Sequence, residues 1–341
     1  NILAIAIASA VAAPVAMANG PTLYGQMQVE IASVDNGGYG DNNTGGKRTG
    51  VTTDESTLKM GDNKRGRLGI KGSEDLGNGL QAIYNFEWQI DTANGNIADG
   101  QRVGMVGLKG GFGTFEAGRI KVPYKYAGGV KYDPFVTTYL EARKSGGMSA
   151  SAFGHNSFWD NSVAYKNDFG NVNVWIAYGV DGGNGDDFSG NSGDLSAAVT
   201  YKANNFEVFA STAMDSDQQS SDNDLDTDFA YTANKVGGQY KMGNHTFSAQ
   251  YEMITNENAA GTNEDSTVAF LGYQMKMGAT TLVAQLGQTD DDNDAKDTDY
   301  MALGAIHRLS KKTRVFGGYR NSDRNDGTDY TAITAGLRID F

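Results

Sequence analysis

Leu80-Gln81-Ala82-Ile83-Tyr84-Asn85-Phe86-Glu87-Trp88-Gln89-Ile90-Asp91 decides the fold class. Leu80, Ala82, Tyr84, Phe86, Trp88 and Ile90 fall on one side of an extended chain, and Gln81, Asn85, Glu87, Gln89 and Asp91 fall on the other, with Ile83 the sole interruption. One face suits an apolar medium and the other suits water. The period returns in Leu23 to Ile31, where Leu23, Met27, Val29 and Ile31 oppose Gln26, Gln28 and Glu30, and again in Val172 to Tyr178. Alternation alone also fits a water-soluble sandwich, so the connections between strands carry the decision.

Those connections are of two kinds. Short turns are predicted at Glu74 to Gly79, Gly110-Gly111, Asp168 to Asn171, Asn204-Asn205, Gly243-Asn244, Gly278 and Lys311-Lys312. Between them lie polar stretches rich in Asp, Asn and Gly near 35–64, 92–100, 121–156, 181–193, 215–228, 255–265, 289–298 and 322–328. Tight turns alternating with long loops are the pattern of a membrane barrel, and this set connects 16 antiparallel strands. At roughly ten residues per tilted strand, such a barrel uses about half the chain and encloses an aqueous channel.

Composition agrees. The 341 residues include 46 Gly, 4 Pro and no Cys, which removes disulfide frameworks, thiolate catalysis and Cys-zinc sites together. Beyond the first residues no run of about 18 apolar residues exists, so no transmembrane helix is expected. The polar average that results is also what a lipid-spanning strand set produces, because half of its residues face water. The net charge of −13 leaves no basic footprint for nucleic acid.

Asn1 to Ala18 differs from everything after it. Ile2, Leu3, Ile5, Ile7 and Val11 form an apolar core, and Ala16-Met17-Ala18 fits a small-x-small cleavage site, the pattern of a secretory signal peptide. No basic segment leads it and the chain begins without Met, so the numbering is expected to start inside a precursor. The domain reading is therefore 1–18 signal peptide and 19–341 barrel. At the other end Phe341, Ile339, Leu337, Ala335 and Ile333 share an apolar face against Asp340, Arg338, Gly336 and Thr334. In lipid an open edge strands backbone hydrogen-bonding groups, so this last strand must pair with the first, within Tyr24 to Val34.

Leu23-Tyr24-Gly25-Gln26, Arg67-Leu68-Gly69-Ile70-Lys71-Gly72 with Glu74-Asp75-Leu76-Gly77-Asn78-Gly79, Val106-Gly107-Leu108-Lys109, Phe112 to Arg119, Asp160 to Tyr165, and the terminal Phe341 together resemble the Gram-negative general porins. The resemblance implies an outer-membrane homotrimer of 16-stranded barrels, each a channel for small hydrophilic solutes, with the third outer loop folded inward as a constriction. It also implies contact with lipopolysaccharide and outer-membrane lipids, and makes Phe341 a signal read by the barrel-assembly machinery.

Residues 121–156 form that third loop, and Pro123 and Pro134 both sit in it. Carried over from the family pattern, Arg67 and Arg102 match arginines of the pore wall and Arg119 the arginine just before the loop. Asp133 and Glu141 are the loop acids available to oppose them, and Lys121, Lys125, Lys131, Arg143 and Lys144 make the loop basic overall. That balance predicts weak anion preference. Phe158-Trp159 departs from the family, where a basic residue is often found.

Other motifs carry less. Gly182 to Asp187 matches one turn of a calcium-binding solenoid without tandem copies, and Asp222, Asp224, Asp226 and Asp228 imitate an EF-hand whose required Gly and closing Glu are replaced by Thr227 and Ala233. Loosely held divalent cations are the expectation there and at Asp290-Asp291-Asp292, with no cofactor. His155, His245 and His307 have no metal-ligand spacing, and His155 beside Ser157 lacks the orienting third group of a hydrolase. A substrate-specific channel for anions or sugars is the main alternative. A surface adhesin or an outer-membrane enzyme ranks below it.

Overall fold

The computed structural model describes residues 19–35, 57–61, 66–143, 146–149, 155, 158–180, 193–218, 229–257 and 262–341. Residues 1–18, expected to be the signal peptide, Lys144, Ser157, and the acidic stretches holding Asp186, Asp187 and Asp222 to Asp228 lie outside them.

The strands are β1 (Asn19–Asp35), β2 (Thr57–Gly61), β3 (Gly66–Gly77), β4 (Leu80–Asp91), β5 (Asn96–Gly110), β6 (Gly113–Lys121), β7 (Phe158–Phe169), β8 (Val172–Gly179) and β9 (Leu195–Ala203). After them come β10 (Phe206–Gln218), β11 (Phe229–Met242), β12 (His245–Glu257), β13 (Asn263–Met277), β14 (Thr280–Asp291), β15 (Thr298–Arg308), β16 (Thr313–Arg324) and β17 (Tyr330–Asp340). Segment β2 pairs with Glu30 to Val34 and β3 with Asn19 to Gln26, so the two are halves of a single wall strand and the wall is 16-stranded. From β3 onward each strand pairs antiparallel with the next, and β17 pairs with β1 from Gln26 opposite Asp340 to Asp35 opposite Thr331. The sheet closes on itself. Closure leaves no edge to meet lipid with unpaired N–H and C=O groups.

Leu23-Tyr24-Gly25-Gln26 has a packing reason at this seam. A Cβ on Gly25 would lie 2.4 Å from the Arg67 carbonyl oxygen and 2.5 Å from the Phe341 ring. Phe341 also exchanges backbone hydrogen bonds with Gly25, at 3.1 and 3.2 Å.

Burial follows the alternation. On β1, Gln26, Gln28 and Glu30 are buried while Leu23, Met27 and Ile31 are exposed. Exposed apolar side chains recur round the wall at Phe86, Val106, Phe115, Val163, Ile176, Val199, Val236, Leu271, Leu286, Leu303 and Leu337. A continuous apolar belt of this kind is the surface that lipid covers. No described helix is long and apolar enough to cross a membrane; the strands make the crossing. Near the short turns the outer face carries aromatic pairs, Phe115 with Tyr165 at 4.8 Å between ring centres and Phe247 with Tyr273 at 5.1 Å. These rings mark the turn-side membrane interface.

The first turn is shorter than the sequence suggests. The strand β3 runs on to Gly77, which leaves only Asn78-Gly79 as the turn into β4. Asn78 has φ 52° and Gly79 φ 76°, the left-handed conformations that a two-residue hairpin needs. At the other end β5 begins at Asn96 and β16 reaches Arg324, both inside stretches expected to be loop. Beyond the lipid both faces of a strand are wet, so polar sequence there is compatible with continued pairing.

Candidate functional site

The loop after β6 opens with Pro123, whose fixed φ starts the single-turn helix α1 (Pro123–Tyr126). From there it follows the inner wall across much of the ring. The Tyr124 N–H donates to Ser196 Oγ on β9 at 3.1 Å, and Lys235 Nζ on β11 donates to the Tyr124 carbonyl at 2.6 Å. On β12, Gln250 Oε1 accepts from the Gly129 N–H at 2.7 Å and Glu252 accepts from the Tyr124 hydroxyl at 2.8 Å. Further round, Tyr300 on β15 donates to the Leu140 carbonyl at 2.7 Å and Arg320 on β16 to the Tyr139 carbonyl at 3.2 Å. Glu30 on β1 accepts from the Tyr139 N–H at 3.1 Å. Apolar packing reinforces these bonds, since Tyr132, Phe135, Leu140 and Met148 form one buried cluster with Phe209, Phe270, Tyr300 and Phe316 of the wall. At roughly 1.5–3 kcal/mol for each large apolar side chain removed from water, this cluster holds the loop as a fixed part of the wall.

Several charges expected to line the opening are consumed in this docking. Asp133 is buried, and its carboxylate accepts from the Phe135 N–H at 2.8 Å, the Ala142 N–H at 2.9 Å and Gln285 Nε2 at 2.8 Å. Glu141 accepts from the Thr137 N–H at 3.0 Å and from Arg143 Nη2 at 2.7 Å, while Arg143 Nη1 donates to the His155 carbonyl at 3.0 Å. Lys131 pairs with Glu207 on β10. His155 has no exposure; its Nε2 stands 2.9 Å from Lys235 Nζ and its Nδ1 2.9 Å from the Ser149 carbonyl. Burial first and the Lys235 cation second hold His155 well below the ordinary histidine range. The ring is a buried neutral spacer of the loop.

The other cations gather where β4, β5, β6 and β7 meet the start of the loop. Arg102 Nε donates to Glu87 Oε1 at 2.6 Å, and Arg119 pairs with Asp160. Phe158, the departure from the family pattern, is the ring they share. Lys125 Nζ lies 4.0 Å from its centre, the Arg102 guanidinium 4.9 Å and the Arg119 guanidinium 5.9 Å. A Phe face accepts cations without neutralising them, which lets like charges approach one another. Lys121 stands 5.6 Å from the Tyr126 ring, and Arg67 is in electrostatic reach of both Arg102 and Glu87. The group holds five cations, Arg67, Arg102, Arg119, Lys121 and Lys125, against the two carboxylates Glu87 and Asp160. Among the described residues no cluster of three or more His, Cys, Asp or Glu is placed to hold a metal ion.

The closed barrel agrees with the comparisons. A model of the Gram-negative porins matches residues 4–328. The chain belongs to the Gram-negative porin family. The major outer membrane protein P.IB of Neisseria meningitidis serogroup B is 27% identical over 341 residues, 97% of each chain. The Neisseria lactamica protein of the same description is 36% identical over 117 residues, 34% of this chain and 32% of that one. Among solved structures, the anion-selective porin from Comamonas acidovorans superposes with a TM-score of 0.77 at 21% identity, over 94% of this chain and 99% of that one. OmpT of Vibrio cholerae in its trimer form gives 0.70 at 16% identity, over 94% and 99%. The porin is thus an outer-membrane channel protein, and its family consists of channels, not enzymes.

The sequence places Glu87 and Glu30 on water-facing strand faces and reads Phe158 only as a gap in the basic row, and it gives no site role to these or to the loop anchors Lys235, Glu252 and Arg320. The signal for the anchors was available, because an ionisable side chain in the middle of a membrane strand must face the interior and find a partner.

The Asp133 contacts give a pH prediction. Burial pushes its carboxyl from the ordinary 3.8 up to about 6, against the hydrogen bonds from Ala142 and Gln285 that favour its charged form. A carboxyl raised in the docked state penalises docking above pH 6, and the penalty is relieved as pH falls through 6 toward 3.8. Open-channel current noise from loop motion should therefore fall between pH 7 and pH 5. Asp133→Asn, which cannot titrate, should remove that dependence; noise that rises on acidification in the wild type contradicts it.

Proposed function

We propose that this porin is a homotrimeric diffusion channel with weak anion preference, whose loop 121–156 narrows the aperture and whose selectivity is set by Arg67, Arg102, Arg119, Lys121 and Lys125. The observation that carries the reading is the excess of cations around Phe158 and Glu87, where β4 to β7 meet the start of the loop. Cationic rings in a narrow lumen favour anions. The anion selectivity named for the Comamonas acidovorans porin supports the same direction. On this reading Lys131, Asp133, Glu141 and Arg143 hold the loop in place and act on ions only through its position. Residues 1–18 serve as the export signal, Phe341 as the assembly signal, and the outer loops meet lipopolysaccharide, with divalent cations loosely held at their Asp-rich segments.

Liposome swelling with sugars, amino acids and dicarboxylates of graded size tests the diffusion reading. Rates that fall smoothly with size support it, whereas saturation by one solute supports the substrate-specific alternative. The trimer has its own test. The exposed apolar faces of β1, β16 and β17 suit packing between subunits, so the folded protein should migrate as a trimer in detergent at room temperature and as a monomer after boiling. A folded protein that sediments only as a monomer excludes it.

A further inference from the structure

The strands that descend into the short turns share a feature unrelated to the constriction. Lys109, Lys202, Lys241 and Lys276 are each the last residue but one of their strands, Arg308 is the last residue of β15, and Lys166 stands three before the end of β7. All six lie on the lumen face. On β11, Lys241 has the parity of Lys235, which touches the loop, and opposes the exposed Val236 and Tyr240. On β13, Lys276 has the parity of Phe270 in the loop's apolar cluster, and on β15 Arg308 has that of Tyr300 and Ile306. Lys202 shares a face with Ser196 and Ala198, and Lys166 with Ala164. Only Lys166 and Lys202 have carboxylate partners, Glu116 and Glu207; the other four form no ion pair among the described residues. At the opposite, loop-side end of β14, Asp291 has the lumen parity of the buried Val283 and Gln285.

We infer that these six side chains form a cationic collar at the turn-side mouth, a binding zone for polyvalent oxyanions such as condensed phosphates that is separate from the cation group around Phe158. The inference rests on the pore reading. Six alternate strands, from β5 to β15, each bring one charge toward the same wide opening, so no single small anion is clamped. A multiply charged one gains from several cations at once. Strands end here at the aromatic girdle, where the low-dielectric wall stops and the vestibule begins, which leaves the collar open to ligands from the turn side.

The experiment is current block in planar bilayers by sodium tripolyphosphate added to one chamber at a time. The chain has no Cys, so a biotinylated Asp326→Cys in the last outer loop, challenged with streptavidin, reports which chamber faces the loops. Block should be stronger from the turn side, and Lys109→Gln/Lys241→Gln/Lys276→Gln together should raise the half-blocking concentration by at least about tenfold, three charges acting through water each contributing a factor of a few. Potassium chloride conductance of the triple variant should stay close to wild type, which separates loss of the collar from loss of the pore. Block that is equal from both sides overturns the collar. So does one-sided block that survives the triple variant but disappears in Arg102→Gln, because the anion then binds at the constriction.

Discussion

Deleting residues 126–140, so that Lys125 runs directly into Glu141, should raise single-channel conductance by roughly twofold or more and admit larger sugars, since a 16-stranded barrel has an aqueous lumen of its own once nothing fills it. The deletion removes Tyr132, Phe135, Tyr139 and Leu140, which make most of the contact with β10 to β16 and β1. In a water-soluble domain such a cut would be destructive, because Glu30 and Arg320 would be left buried without their loop partners at a cost of several kcal/mol. Here the space that opens fills with water, and the uncovered side chains are rehydrated. The wall keeps its complete ladder of strand pairs. The folded deletion should therefore retain heat-sensitive migration in detergent and lose only the obstruction. Unchanged conductance in a folded deletion would show that the loop hugs the wall without narrowing the path. A milder form of the test is Tyr300→Phe, which removes the 2.7 Å hydrogen bond to the Leu140 carbonyl and should increase current noise with little change in mean conductance.

The fold was legible because lipid and water impose opposite demands on alternate residues of the same strand. Leu23 to Ile31, Leu80 to Asp91 and Ile333 to Phe341 state those demands plainly, and the seam joining β1 to β17 follows from them together with the exclusion of open edges. Strand ends were less legible, as the early start of β5 at Asn96 and the continuation of β16 to Arg324 demonstrate. Once a strand leaves the bilayer, the constraint on its outer face disappears. Within the site, residue type identified candidates but could not assign partners. Asp133 and Arg102 are both simply charged letters in the sequence, yet one caps backbone N–H groups inside the loop and the other sits between a carboxylate and an aromatic ring. That difference depends on which strands the loop crosses, and sequence spacing carries no information about the crossing. Phe158 illustrates the converse: it breaks the expected row of basic residues, yet it is the ring on which Lys125, Arg102 and Arg119 converge.

Selectivity is where net charge and local charge disagree. A chain of net charge −13 suggests a cation-preferring pore if its acids act equally. They do not, because Asp292, Asp294, Asp326 and Asp329 stand in or beside outer loops open to bulk water, where influence fades over about 8 Å at physiological ionic strength. On the proposed reading the five cations around Phe158 and Glu87 act on a confined path bounded by low-dielectric walls, where charges are screened less. A single charge about 6 Å from an ion and acting through water is worth about 0.7 kcal/mol, roughly threefold in a permeability ratio. The two members of the Arg102–Glu87 pair should thus shift selectivity in opposite directions by similar amounts. Arg102→Gln is expected to lower the chloride-to-potassium permeability ratio about threefold, and Glu87→Gln to raise it about threefold. Arg102→Glu, which removes one positive charge and adds one negative, should carry the reversal potential into the cation-preferring range. Asp326→Asn in the last outer loop should scarcely move it. Reversal potentials across a potassium chloride gradient measure all four. A wild-type channel that prefers cations at moderate salt, with Asp326→Asn moving the potential as far as Glu87→Gln, would mean that the outer acids control the ions before they reach the constriction. Anion preference that reverses with Arg102 and is indifferent to Asp326 would place the control among the five cations, with the outer acids acting only as a screened fringe.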